Sequence, residues 1–179
     1  MKKFLKEALN TSLCILAALV ISLFVVTFLG QRTVVDGESM ENTLYNGDNL
    51  IVDKISYRFS EPDRFDVIVF PAHYDAKVYL VKRVIALPGE TIYIDDKGDI
   101  YINDELLEED FGKEVILSGG RASEPITLGA DEYFVMGDNR NQSLDSRDYM
   151  VGNITKDDII GRAWVRIYPF DQIGFVKHE

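Results

Sequence analysis

Cysteine, histidine and excess positive charge are all scarce in this chain. Cys14 is the single cysteine among 179 residues, so the chain cannot form an internal disulfide and needs an ordinary hydrophobic core. The two histidines, His73 and His178, are too isolated in the sequence to form a ligand set, and we predict neither a metal nor an organic cofactor. The formal net charge of −11 excludes nucleic acid as a partner, because binding it requires a basic surface.

The N-terminal stretch differs from this acidic body. Residues 1–12 are lysine-rich, and residues 13–29 are almost entirely apolar. Seventeen residues of helix cover about 25 Å, which crosses a bilayer with help from the flanks. A cleavable signal peptide is the alternative, but the run is long, and a signal peptide ending at Gly30 would have bulky Phe28 at its third-last position. We therefore predict a cytoplasmic tail over 1–12, a transmembrane anchor over 13–30 and an extracytoplasmic catalytic domain over 31–179.

The body lacks any sustained helical periodicity. Short apolar runs recur between turn signals instead, which is typical of an antiparallel β domain. We predict strands at 49–54, 66–70, 78–87, 91–94, 100–102, 132–136 and 160–168, a short extended run at 33–35 and one short strand at 114–117. The fold class predicted is therefore mainly β, preceded by one transmembrane helix.

The predicted strand 78–87 carries a lysine in the middle of an apolar face. At a period of two, one face holds Val78, Leu80, Lys82, Val84 and Ala86. Burial disfavours the charged amine and can lower a lysine pKa by about 3–5 units. A neutral amine is a general base, and it commonly activates a hydroxyl. The alternative is that the lysine stem lies on apolar neighbours while its ammonium group stays in water.

Ser39 is the candidate hydroxyl, within the stretch 36–44. Gly37 precedes it by two residues and permits a tight bend or a close backbone approach. Glu41 stands where a nucleophile elbow needs its second glycine, so the stretch is not that motif. Met40 either lines a pocket or fills a gap in the core. Together, Ser39 and Lys82 predict a serine–lysine hydrolase held at a membrane surface.

A long polar loop follows the strand 132–136. Its charges alternate in sign: Asp138, Arg140, Asp145 and Arg147. One interpretation is a solvated loop whose surface ion pairs contribute at most about 1 kcal/mol each. The other is a functional loop, in which Asp145 and Arg147 brace the loop against the lysine strand and Ser143 orients the amine.

Three stretches taken together resemble the type I signal peptidases. They are Gly37-Glu38-Ser39-Met40 with Thr43-Leu44, the run from Lys82 to Glu90, and Gly137-Asp138-Asn139-Arg140 with Ser143 and Asp145-Ser146-Arg147. One anchor and a short body are similar to the small enzymes of Gram-positive bacteria. The resemblance implies that Ser39 is the nucleophile, Lys82 the general base and Ser143 the group that orients the amine. It further implies supporting roles for Asp138, Arg140, Asp145 and Arg147, and an oxyanion site at the Ser39 N–H beside Gly37.

The resemblance also implies a cellular setting and a substrate. The family has a β-rich catalytic body with an apolar surface resting on the membrane. Its substrates are exported preproteins, cut where small residues occupy the last and third-last positions of the signal peptide. The implied partners are therefore preproteins, the lipid bilayer and the secretion translocon. The implied location is the cell membrane, single-pass, with the N-terminus cytoplasmic and the catalytic domain outside.

Two positions depart from the family pattern. Asn42 occupies the position where the family usually has proline, and Gly37 stands where many relatives carry an oxyanion-donating serine. Three other functions remain open: a self-cleaving repressor-type serine–lysine protease, a catalytically silent membrane-tethered binding protein, and a structural β domain. The first requires an N-terminal DNA-binding domain. The other two leave the serine and lysine motifs without a use.

Overall fold

The computed structural model describes residues 2–24 and 30–178. The first range is a single helix, α1, Lys2–Phe24. Its described apolar side chains are exposed, including Leu13, Leu16 and Leu19. Part of the predicted anchor, residues 25–29, lies outside the described residues. No helix within the described ranges is long and apolar enough to cross a bilayer.

The body consists of short strands. They are β1 Gly30–Val34, β2 Asn49–Asp53, β3 Val67–Ala72, β4 Asp75–Ala86, β5 Thr91–Ile94, β6 Ile100–Ile102, β7 Glu105–Leu106, β8 Ile126–Thr127, β9 Glu132–Met136, β10 Ile154–Thr155, β11 Gly161–Tyr168 and β12 Gly174–Phe175. The large sheet has the order β1-β2-β11-β3-β4-β9-β10, with β12 on β11. The small sheet has the order β7-β6-β5-β8. These pairings are antiparallel, so the predicted fold class of the body is confirmed.

Two details of the predicted strands are wrong. The strand predicted over 66–70 extends further, since β3 continues through Pro71 to Ala72. Proline is tolerated there because β11 pairs with β3 only at Ile68 and Val69, which leaves Pro71 without a ladder partner on that side. The strand predicted over 78–87 begins earlier, because a tight hairpin pairs Ala72 with Asp75 and β4 begins at Asp75.

The predicted strand at 114–117 is also wrong. This segment pairs with a side chain rather than with a strand. Asn141 Nδ2 donates to the Val115 carbonyl over 2.9 Å, and Asn141 Oδ1 accepts from the Leu117 N–H over 2.9 Å. The long excursion after β6 instead contributes β7 and β8 to the small sheet.

β4 is the strand that positions the site. It lies between β3 and β9 in the large sheet, and residues 82–86 are buried. The turn after β1 packs on the same sheet, because Met40 and Leu44 share a core cluster with Leu50 and Val67. The core therefore fixes the serine turn close to the lysine strand.

Candidate active site

Ser39 and Lys82 lie in direct contact. The Lys82 amine donates a hydrogen bond to Ser39 Oγ over 2.8 Å and another to the Val81 carbonyl over 2.9 Å. Lys82 is only 2% exposed, so its ammonium group does not extend into water and that alternative is excluded. When the amine is neutral, its lone pair can accept the hydroxyl proton across the same 2.8 Å.

The environment of Lys82 favours the neutral amine. Burial lowers the pKa of Lys82 from 10.5 to about 8, while the negative charges of Asp145 and Asp138 raise it and limit the fall. About a tenth of a group with this pKa is deprotonated at pH 7. Lys82 is therefore able to act as a base near neutral pH, unlike an ordinary surface lysine.

An open cleft of about 370 Å³ gives access to the two side chains. Its walls are the extended segments 33–36 and 77–82, with Ser39 and Met40 between them. β1 is an edge strand, and β9 pairs with β4 only from Arg83 onward. β1 pairs only with β2, and residues 77–82 of β4 pair only with β3, so each wall has one side that no other described strand occupies. Such edges accept an extended peptide as an added strand.

The serine turn is held by the loop after β9. The Asn139 N–H donates to the Ser39 carbonyl over 3.1 Å, and Asn139 Nδ2 donates to the Glu38 carbonyl over 3.0 Å. Gly37 has φ +99°, which favours glycine, and its N–H donates to Asn46 Oδ1 over 3.1 Å. Within the described residues, the Ser39 N–H has no acceptor and remains available to a ligand.

The predicted pairing of Asp145 with Arg147 is present. Arg147 donates through Nε to Asp145 Oδ1 over 2.9 Å and through Nη2 to Oδ2 over 2.8 Å. Asp145 Oδ2 also accepts from the Gly137 N–H over 3.1 Å. Because Asp138, Arg140 and Asp145 are all buried, the solvated-loop interpretation is excluded. The brace fixes the loop that carries Asn139 and, through it, the serine turn.

Ser143 does not contact the amine as expected. Its Oγ is buried and has no hydrogen-bond partner among the described residues, so the predicted hydrogen bond to Lys82 is not formed. The carbonyl of Val81 orients the amine instead. A Cβ added at Gly137 would overlap both Ser143 Oγ and the Ser39 carbonyl, which places Ser143 against the rear of the serine turn.

Arg83 is a residue that sequence reasoning missed. It is fully buried and forms a two-pronged ion pair with Asp138, Nε to Oδ1 over 2.9 Å and Nη2 to Oδ2 over 2.7 Å. Its Nη1 donates to the carbonyls of Phe65 and Lys177, and its Nη2 to Thr43 Oγ1 over 3.1 Å. Arg83 therefore joins the lysine strand, the serine turn, the loop after β9 and the C-terminal segment.

One signal in the sequence could have identified Arg83. The run from Val81 to Leu87 is apolar on both sides of the two charges, which is typical of a central strand buried on both faces. A charge in such a strand needs a buried counter-ion. Arg140 was expected to support the site within its loop, but its Nη1 pairs with Glu109 Oε1 over 2.7 Å, outside that loop.

Met40 fills both of the roles proposed for it. It lines the cleft beside Ser39, and at 1% exposure it also packs in the core. In the part of the chain that the structure describes, no group of three histidine, cysteine, aspartate or glutamate side chains is arranged to hold a metal ion. Within the cleft, the Ser39 hydroxyl and the Lys82 amine are the reactive groups in direct hydrogen-bond contact.

Comparison with known proteins shows which family the chain belongs to. The family model described as "Signal peptidase, peptidase S26" matches residues 8–168. The chain belongs to this family. Its similarity to a probable signal peptidase I-2 of Synechocystis sp. is 32% identity, covering 90% of this chain and 74% of that protein. The chain is also 36% identical to a signal peptidase I P of Bacillus subtilis subsp. natto, over 91% of this chain and 90% of that protein.

A solved structure of another family member is also similar. It is a signal peptidase I from Enterococcus faecalis, which is 31% identical in sequence. The alignment covers 57% of this chain and 97% of the Enterococcus chain, with a TM-score of 0.47. The family membership rests on the sequence matches, which extend over most of the chain. The enzyme is thus a serine peptidase of the signal peptidase family.

Proposed function

We propose that the enzyme removes signal peptides from exported preproteins, with Ser39 as nucleophile and Lys82 as general base. The observation that carries this proposal is the 2.8 Å contact between Lys82 Nζ and Ser39 Oγ at the floor of an open cleft. A purely structural lysine would gain nothing from this placement, because burial lowers its pKa at a cost in folding free energy.

The proposed reaction has two steps. Neutral Lys82 takes the Ser39 hydroxyl proton while Oγ attacks the scissile carbonyl, and the available Ser39 N–H beside Gly37 stabilises the oxyanion. The protonated amine then gives its proton to the leaving amine, which frees the mature protein. Lys82 next deprotonates a water molecule, and hydroxide attack on the ester releases the signal peptide and regenerates Ser39.

The cleft also supports the proposed substrate class. A preprotein segment bound between 33–36 and 77–82 must be extended, because it pairs with the backbone of both walls. Near Ser39 the lining includes Val35, Met40 and Leu80. These apolar side chains suit the small apolar residues proposed for the last and third-last positions of the signal peptide.

We propose a membrane location for the enzyme, with residues 13–30 as a single-pass anchor, the N-terminus cytoplasmic and the catalytic body outside. The lysines of residues 1–12 favour this orientation. Aromatic and aliphatic side chains on β11, β12 and the turn between them are exposed, and they include Trp164, Phe170, Ile173 and Phe175. Such a patch suits a lipid surface, where preproteins leave the secretion translocon.

Ser39→Ala is expected to abolish preprotein processing. The test uses a labelled preprotein with an alanine-x-alanine site and the full-length chain in detergent, and we expect the rate to fall by more than about a thousandfold. Ser60→Ala, a substitution in an exposed turn, is the matched control and should process normally. Equal processing by all three proteins would exclude Ser39 as the nucleophile.

Charges placed in the apolar run should release the protein from membranes. Each aspartate near the centre of a spanning helix costs about 2.5–3.5 kcal/mol, so Leu16→Asp combined with Leu19→Asp should make the chain extractable at alkaline pH. The measurement is flotation with lipid vesicles after carbonate washing. Ser12→Asp, at the margin of the run, is the control and should stay with the vesicles. A wild-type chain that carbonate already extracts would contradict the anchor.

A further inference from the structure

A five-residue segment outside the cleft contacts every part of the site. We call residues 109–113 the strap. It belongs to the long excursion after β6, contributes no residue to the cleft lining and carries no group that could react there. Its contacts nevertheless reach the serine turn, the lysine strand and the loop after β9.

The strap is attached to the serine turn at two adjacent residues. Asn42 Nδ2 donates to the Phe111 carbonyl over 3.2 Å. Lys113 Nζ pairs with Glu41 Oε2 over 2.6 Å, but this pair is largely exposed and therefore weak. The hydrogen bond from Asn42 is the better shielded of the two links.

The other contacts of the strap fix its own position. The Phe111 ring lies 3.7 Å from Arg83 Cζ and is 7% exposed. The Lys113 N–H donates to the Asp138 carbonyl over 2.8 Å, and Glu109 pairs with buried Arg140 over 2.7 Å. The strap is thus tied to the lysine strand at Arg83 and to the loop after β9 at Asp138 and Arg140. A bond from the strap to the serine turn sets the position of the turn relative to that lysine.

The backbone at Asn42 suits this link. Its φ is +93°, a left-handed conformation that asparagine adopts more readily than most side chains. Proline, which the family usually has at this position, is restricted to φ near −65° and has no side-chain donor. The turn of this enzyme therefore follows a path that proline cannot follow.

We propose that Asn42 is a positioning residue, which holds the Ser39 turn against Lys82 through its hydrogen bond to the strap. The proposal deepens the function proposed above and depends on it. It predicts that a change at Asn42 acts on the catalytic step rather than on substrate binding, because Asn42 does not line the cleft.

Two substitutions separate the backbone of Asn42 from its side chain. Asn42→Gly keeps the left-handed backbone and deletes the amide, and we expect kcat to fall about fivefold with KM unchanged. If the turn moves away from Lys82, water reaches the amine and raises its pKa. The acid limb of the pH–rate profile should then move to higher pH. Asn42→Pro cannot keep φ +93°, and we expect kcat to fall by more than about a hundredfold.

Asn103→Gly is the matched control. Asn103 also has positive φ, +51°, but lies beyond the end of β6 in the small sheet, away from the cleft. Its substitution should leave kcat and the acid limb as in the wild type. Melting curves of all variants show whether a loss of rate merely follows a loss of fold.

Several outcomes would overturn the proposal. One is an Asn42→Gly protein with wild-type kcat and acid limb, and another is an Asn42→Pro protein as active as the wild type. A lower melting temperature with unchanged kcat would reduce Asn42 to a structural role. In each case, loss of processing in Ser39→Ala would show that the proposed function still stands. A wild type that processes no preprotein would remove both proposals together.

Discussion

Lys82→Met is expected to lower the rate of preprotein processing by more than about a thousandfold and to leave the fold intact. Methionine has a similar length and no charge, so it fits the buried site without a desolvation cost. We therefore expect the free energy of unfolding to change by less than about 1.5 kcal/mol. Ser39 loses its proton acceptor, which removes the first chemical step. The measurements are single-turnover processing of a labelled preprotein and denaturant unfolding of the same sample.

The pH dependence of the wild type adds an independent readout. Lys82 acts as a base only when deprotonated, so kcat/KM should rise with pH and level off above the pKa of about 8. Lys97→Met, at an exposed hairpin tip, is the matched control and should keep both the rate and this acid limb. A Lys82→Met protein that still cleaves with the same acid limb would assign the base to another group.

Arg83→Met is expected to lower the free energy of unfolding by about 3–5 kcal/mol. The substitution leaves the Asp138 carboxylate fully buried with its two-pronged partner gone. It also releases the carbonyls of Phe65 and Lys177 from their donor. Urea unfolding of the full-length chain in detergent measures the loss, and a fall in processing rate should accompany it because Thr43 in the serine turn loses a donor too.

A double-mutant cycle tests whether the pair itself is responsible. Arg83→Met combined with Asp138→Leu removes both charges, so it should be more stable than Arg83→Met alone. The control is Lys156→Met, which breaks the exposed pair with Glu61 and should cost less than about 1 kcal/mol. Additive losses in the cycle would show that Arg83 and Asp138 act independently.

Most of the strands could be predicted from sequence because local patterns determine them. The short runs at 91–94 and 100–102 became β5 and β6 with the expected bounds. Lys82 was identified as a buried lysine because its neighbours on the strand are apolar. This inference does not require knowing which strands pair with β4. Asp145 and Arg147 could be recognised as a possible pair because opposite charges lie two residues apart in the same loop.

The remaining features depend on contacts between distant segments. Arg83 and Asp138 are 55 positions apart, and Asn42 and Phe111 are 69 apart, so no local period brings them together. The strap was not predicted from the sequence, because its single aromatic residue carries no pattern. The partner of Arg140 was missed for the same reason, since Glu109 lies in the strap. The hydrogen bond expected between Ser143 and Lys82 also depends on the fold, since the two residues belong to different segments, and in the structure Lys82 bonds to Ser39 and Val81 instead.

The two unpaired strand edges that form the cleft have a consequence for mature exported proteins. Unprotected edges normally invite pairing with other sheets and hence aggregation. Here segments 33–36 and 77–82 line the same cleft, which under the proposed function holds the extended segment of a preprotein. Under that function, a segment held inside a folded domain would have to leave its own structure before it could extend along the cleft to Ser39. Conformation alone would spare finished proteins from cleavage, whatever short motifs their sequences contain.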